Sequence, residues 1–116
     1  MHIQIVSFRL KGLTDEEFLA GCNEDAAAYA AVPGLISKVW LHDPGRGRYG
    51  GVKTWTDRDA MQDYLNSDLW QSFVTSPQFT DVVSSDFEVI EKPTRVTRGF
   101  VKATELQRLL RSALAV

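Results

Sequence analysis

The sequence predicts an α+β fold in which four strands and two principal helices follow the order β-α-β-β-α-β. Three observations carry this reading. The chain opens with strand-like alternation in HIQIVSFR, residues 2–9. Amphipathic stretches announced by capping residues follow the first and third strand candidates. The second and third candidates, residues 35–43 and 48–55, are joined by little more than DPGRG at 43–47, whose Pro-Gly turn chemistry makes them an antiparallel hairpin.

The elements follow in order. Ile3 and Ile5 share one face of the first strand, Val6 and Phe8 the other. In TDEEF, Thr14 as N-cap and Glu17 at the third helical position compose a capping box, with acids well placed in the first turn. The helix keeps Phe18, Leu19, Cys22, Ala26, Tyr29 and Ala30 on one side and turns Glu16, Glu17, Asn23 and Glu24 to water. It stops at VPG, because Pro33 disfavours helical geometry at Val32 and Gly34 is a natural terminator. After LISKVWLHD and RYGGVKTW as the hairpin strands, Thr56 is expected to cap a second helix, DRDAMQDYLNS, with Ala60, Met61, Tyr64 and Leu65 on its apolar side. DLWQSFVTSP continues as an irregular or short helical segment ending near Pro77, and a fourth strand lies within residues 80–91. This is the ferredoxin-like, or split βαβ, arrangement on an antiparallel sheet. ATELQRLLRSAL adds an extra C-terminal helix with Leu106, Leu109, Leu110 and Leu114 on one side. The chain therefore divides into a folded domain at 1–93 and a basic extension at 94–116, with EKPTRVTRG as the linker candidate.

Composition narrows the function classes. With 116 residues, 44% apolar and 24% charged, the chain is one ordinary globular domain. It carries neither a basic leader followed by a cleavable apolar run nor an 18-residue apolar stretch, so no export or membrane partner is expected. Cys22 is the lone cysteine, which excludes an internal disulfide and makes a cytoplasmic address the expectation. The net charge of −2 is uneven: residues 1–91 carry −7 and residues 92–116 carry +5. A basic tail can dock on an acidic body or contact nucleic acid. Because the body is acidic and Phe100 is the tail's only aromatic residue, no nucleic-acid partner is expected.

One motif invites a cofactor. GRGRYGG, residues 45–51, contains G-x-G-x-x-G at Gly45, Gly47 and Gly50. A dinucleotide fingerprint needs a strand before the glycines and a helix immediately after them. Here strands lie on both sides, no acidic residue closes a strand about twenty positions later, and no Lys-Ser/Thr follows as in a P-loop. The glycines read as a hairpin turn with a bulge or close backbone approach at Gly50-Gly51.

Sorting the strands by parity gives two faces. Ile3, Ile5, Leu35, Val39, Leu41, Val83, Phe87 and Val89 are assigned beneath the helices. Gln4, Val6, Phe8, Ile36, Lys38, Trp40, His42, Val82, Glu88 and Ile90 compose the second face, which is too apolar to be left in water. With both helices used on the first face, a second copy of the sheet is the expected cover, and Lys38 is expected to pair with an acid such as Glu88 across that homodimer.

VPGLISKVWLHD, RYGGVKTWTDRDAMQDYLNS and FEVIE resemble the YdhR-type mono-oxygenases. The matching positions are Pro33, Gly34, Leu35, Lys38, Trp40, Gly50, Gly51, Val52, Asp57, Tyr64, Leu65, Phe87 and Val89, within residues 2–91. The resemblance implies a dimeric α+β barrel, a group that also includes cofactor-free antibiotic-biosynthesis mono-oxygenases. It thus implies oxygenation without a cofactor, on a small aromatic or polyketide-like substrate. A non-catalytic dimer of the same fold that holds a small hydrophobic ligand is the alternative.

Such chemistry asks for an apolar pocket, an aromatic wall, a base near neutrality and donors that hold an anion. His42 is the candidate base, a histidine ordinarily titrating near ~6.5, although beside Asp43 at a strand end it also reads as a surface residue. Trp40 and Tyr49 are placed with it in the catalytic set, Tyr49 as an oxyanion donor. Lys38, Trp55, Tyr64 and Trp70 are the candidate substrate-binding residues; core packing is the competing reading for the tryptophans and Tyr64, and a dimer contact for Lys38. With His2, His42 and Cys22 as the only soft ligands, at no cage-like spacing, no metal site is expected. There is no G-x-S-x-G for a hydrolase.

Overall fold

The computed structural model describes residues 1–100. The strands are β1 (His2–Leu10), β2 (Leu35–Asp43), β3 (Arg48–Trp55) and β4 (Phe79–Glu88); the helices are α1 (Asp15–Ala30), α2 (Arg58–Leu65), α3 (Asp68–Thr75) and α4 (Glu91–Val96). All pairings are antiparallel, and the strand order β2-β3-β1-β4 is the ferredoxin-like one expected from the sequence. The C-terminal helix expected at 103–114 lies outside the described residues; α4 is a six-residue turn of helix within the stretch read as a linker.

Local chemistry sets the boundaries. Thr14 and Glu17 form the reciprocal capping box: the Thr14 hydroxyl accepts from the Glu17 amide at 3.1 Å, and the Glu17 carboxylate accepts from the Thr14 amide at 3.0 Å. The second helix is capped by Asp57 rather than Thr56. The Asp57 carboxylate accepts from the Ala60 amide at 2.8 Å, while the Thr56 amide is tied to the Gly34 carbonyl at 2.9 Å. The following segment is a separate helix, because Ser67 accepts from Trp70 N–H and so restarts the chain as α3. Gly45 and Gly47 lie in the β2–β3 turn. A Cβ at Gly50 would collide with the Val6 carbonyl on the neighbouring strand, so this glycine permits a backbone approach and cradles no phosphate.

Two bulges adjust the faces. Ile36 is inserted in β2 where the register passes from Leu35 opposite Trp55 to Ser37 opposite Thr54. Asp81, at φ 53°, sits in β4 where the β1–β4 register slips between Ser7 and Arg9. An Asp tolerates this left-handed conformation better than a branched residue would.

The helices cover the face opposite to the one assigned from parity. Val6, Phe8, Tyr49 and Trp55 from the sheet pack with Tyr29, Met61, Tyr64 and Trp70 from the helices in one core. Gln4 and Lys53 are buried on the same side, as are parts of Lys38 and Trp40. Ile3, Ile5, Val39, Leu41, Val83 and Phe87 lie on the side without helices, Val39 at 54% and Phe87 at 59% exposure. Leu35 alone of the expected inner set packs on the core. Lys38 consequently points under the helices, away from the open face, so the expected pairing with an acid such as Glu88 across that face does not hold. Alternation fixes which residues travel together, but the helices went to the set that matches their aromatic sides.

Candidate functional site

A cavity of about 480 Å³ opens between the sheet, α1 and the α2–α3 pair. This is within the ~300–1,000 Å³ usual for small-molecule sites. It exists because α1 lies loosely on the sheet: of its sixteen residues only Tyr29 is buried, with Phe18 and Cys22 half-buried. One end is walled by Phe8, Phe18, Phe73 and Phe79, whose rings meet mostly edge to face at 4.8–6.4 Å.

The other end is a lysine pair in an aromatic cage. The hairpin register places Lys38 of β2 directly opposite Lys53 of β3, so both side chains rise from the same face. Lys38 Nζ stands 3.4 Å from the ring centroids of both Tyr29 and Trp40. Lys53 Nζ lies 5.2 Å from Tyr64, 5.8 Å from Tyr29 and 5.9 Å from Trp70. Trp40 is opposite Gly51, which has no side chain to fill the floor between them.

Among the described residues neither lysine has a carboxylate within 4 Å. Ring faces attract an ammonium, worth ~0.5–2 kcal/mol each, but do not replace lost hydration or a counter-ion. Burial, and then the repulsion of Lys53, lowers Lys38 to about 7; burial lowers Lys53 to about 8. At neutral pH Lys38 is therefore divided between amine and ammonium, while Lys53 is mostly charged. The same burial pushes the Tyr29 and Tyr64 phenols and the Cys22 thiol up, so these remain protonated. Glu17 and Asp25 are exposed residues at the cavity's rim. The site thus offers an amine that can take a proton, two cations that can hold the resulting anion, and rings to stack it.

Of the residues expected from sequence, Lys38, Trp40, Tyr64 and Trp70 come together here. His42, Tyr49 and Trp55 do not line the cavity. His42 is at the end of β2, half exposed, with Nδ1 3.1 Å from an Asp15 oxygen. Tyr49 is packed against Phe8 and Phe18, at 6.3 and 4.9 Å between centroids. Trp55 is fully buried, its Nε1–H donating to Gln4 Oε1 at 3.3 Å. His2 is buried against Asp86 at 2.6 Å, so neither histidine faces the cavity. Sequence reasoning missed Lys53 and Tyr29. The available signal was the short hairpin turn, from which the Lys38–Lys53 register can be counted. Among the described residues no cluster of His, Cys, Asp and Glu is fit to hold a metal, and no helix is long and apolar enough to cross a membrane.

Residues 3–100 match the family model described as "Putative mono-oxygenase ydhR". No curated protein matches the chain. Among solved structures, the haem-degrader MhuD from Mycobacterium tuberculosis, with two haems in its active site, is similar with a TM-score of 0.62 and 21% identity, covering 78% of this chain and 96% of that one. SnoaB, a cofactor-independent oxygenase from Streptomyces nogalater, gives 0.61 and 20%, covering 78% and 95%. SO0527 from Shewanella oneidensis gives 0.62 and 14%, covering 74% and 87%. At these identities the likeness establishes a common fold.

Proposed function

Since the chain belongs to the YdhR mono-oxygenase family, we propose that it oxygenates a small aromatic, polyketide-like substrate without a cofactor, in the cavity that holds the Lys38–Lys53 pair. The observation that carries this reading is two cross-strand lysines in an aromatic-walled pocket, with no carboxylate within 4 Å of either among the described residues. In this scheme the neutral Lys38 amine takes the proton of a phenol or enol, becoming an ammonium that stays beside the anion. Lys53 supplies the second positive charge, and the rings of Tyr29, Trp40, Tyr64 and Trp70 hold the substrate plane. The electron-rich carbanion form then bonds to O2. For an anthrone-type methylene, one oxygen atom ends as the new carbonyl and the other leaves as water with the two hydrogens lost from carbon. The substrate supplies all the electrons, so no external reductant enters the balance.

The aliphatic open face bears on the assembly. At ~25 cal/mol per Å² such a face is costly to leave in water. A second copy, sheet against sheet, covers it in this reading, with Ile5, Val39, Leu41, Val83 and Phe87 at the contact. A cytoplasmic protein of this kind needs no membrane or nucleic-acid partner.

Oxygen-uptake measurements with a panel of anthrones and naphthols test the assignment. Wild type consumes O2 with at least one member; Lys38→Met slows turnover by about a hundredfold or more, the scale of a lost acid–base group, and His42→Ala retains activity. Full activity in Lys38→Met sinks the assignment of the base. Tight binding without any O2 uptake makes the protein a carrier of hydrophobic ligands instead.

A further inference from the structure

The surroundings of the two lysines define the ligand more narrowly than an aromatic acid. On the helix-covered side, one row across the sheet reads Lys38, Lys53, Gln4, Asp86, from β2 through β3 and β1 to β4. The row's only carboxylate is two strands from Lys53 and already occupied by His2 at 2.6 Å. Gln4 is equally committed: its Oε1 accepts from Trp55, and its Nε2 donates to the Ser84 hydroxyl at 3.0 Å. The protein therefore gives the polar groups at the far end of the row partners of their own and leaves two adjacent lysine amino groups facing the cavity.

Among the described residues the groups that face the pair are few. On α1 they are Tyr29, Cys22 and Asp25, the last an exposed rim residue; on α2, Tyr64. Trp70 of α3 and Trp40 of β2 add rings without an exchangeable charge. Residues directly opposite on antiparallel strands have Cβ atoms only ~4.5–5.5 Å apart, so two lysines rooted there can converge on one ligand group. An ammonium is a compact donor that prefers its own oxygen. A single phenolate oxygen has to be shared between the two nitrogens, whereas two oxygens sharing one charge give each nitrogen its own.

Resting on the oxygenase reading of this cavity, we propose that its substrates are aromatic compounds whose conjugate base spreads one negative charge over two neighbouring oxygens, one held by Lys38 and one by Lys53. Aromatic β-dicarbonyls and ortho- or peri-hydroxycarbonyl ring systems are the chemical class. Binding transfers one proton, from the enol or phenol oxygen to Lys38 Nζ, and forms no covalent bond.

The test is made without O2, by titrating the protein with benzoylacetone, an aromatic β-diketone, with 1-naphthol, a one-oxygen acid of similar strength, and with 2-acetonaphthone, which has a carbonyl and no such acidic proton. Affinities come from calorimetry, and the ligand's absorption band reports its protonation state. Benzoylacetone binds at least about tenfold more tightly than either comparator, a gap of the size that one charge-assisted hydrogen bond supplies. Its bound spectrum is that of the enolate at a pH where the free compound is largely neutral. In Lys53→Met, benzoylacetone's advantage over 1-naphthol falls to within about threefold. Equal binding of benzoylacetone and naphthol to wild type, a bound neutral spectrum, or an undiminished advantage in folded Lys53→Met overturns the inference. The wild-type affinity ratio and spectrum decide the matter even if the variant fails to fold. Preference without O2 uptake in the separate turnover assay would leave the inference standing and remove the oxygenase reading; turnover of naphthols with no preference would do the reverse.

Discussion

The two faces of the sheet differ in a direction opposite to ordinary expectation. The face under the helices carries His2, Gln4, Lys38 and Lys53 among its aromatics; the face without helices carries Ile3, Ile5, Val39, Leu41, Val83 and Phe87, with Thr54 and Ser85 between them. A sheet that buries two lysines and leaves such apolar side chains bare is built around something other than its own core. The covered side is arranged for chemistry, with polar groups either satisfied within the protein or turned toward a cavity: no buried side-chain nitrogen or oxygen among the described residues lacks a partner. The bare side is the surface on which the proposed dimer rests.

Breaking the bare side has the largest expected effect. Val39→Asp with Leu41→Asp places charges in the middle of the proposed sheet-to-sheet contact, where an unpaired charge costs several kcal/mol. Sedimentation at micromolar concentration then finds the dimer of wild type weakened by about a thousandfold, ~4 kcal/mol. A wild-type chain that sediments as a 13.0 kDa particle removes the dimer altogether. Lys38→Met on the covered side comes next, with the hundredfold loss of turnover given above.

Gly34 tests the frame that positions the two faces. Its φ is +79°, and a Cβ there would lie 2.5 Å from the Ala60 Cβ. Gly34→Ala combines a left-handed backbone with overpacking against α2, costing about 2–4 kcal/mol in urea unfolding. A change below about 0.5 kcal/mol would mean that the contact between the turn before β2 and α2 is soft.

The smallest effect is in the pH dependence of stability. Lys38 and Lys53 have folded-state values of about 7 and 8, below the usual 10.5. Between those values and 10.5 the unfolded chain binds more protons than the native one, so this contribution raises stability as pH climbs through the window and leaves it low and flat below pH 7. Lys38→Met abolishes its share. The variant gains stability over wild type at pH 7, by up to a few kcal/mol, and the gain shrinks toward pH 10. A gain independent of pH would attribute it to packing rather than to the buried charge.

Element order, the capping box and the hairpin were legible from residue patterns, because each depends on near neighbours or on a short turn; Lys38, Trp40, Tyr64 and Trp70, candidates on chemical grounds, line the cavity. The choice of covered face was not. Period-two alternation links Ile3 to Ile5 and Gln4 to Val6, yet says nothing about which set the helices take. The decisive strand is β3, where Tyr49, Lys53 and Trp55 share a parity that register ties to Phe8, Gln4 and Lys38. His42 was chosen for its titration range, a property of the residue type, whereas cavity access depends on where β2 ends. Lys53 was overlooked because lysine in a strand ordinarily points to water, and only pairing with Lys38 across the ladder gives it another meaning.

The slight hold of α1 on the sheet has a further consequence. A sixteen-residue helix held by one buried tyrosine and the half-buried Phe18 is expected to open before the strands unpair. Its amide hydrogens should therefore trade with deuterated solvent well before those of β1 and β3, and a molecule lodged against Tyr29 should slow them. If so, passage into the interior is governed by the lifting of one roof helix rather than by the breathing of the whole protein.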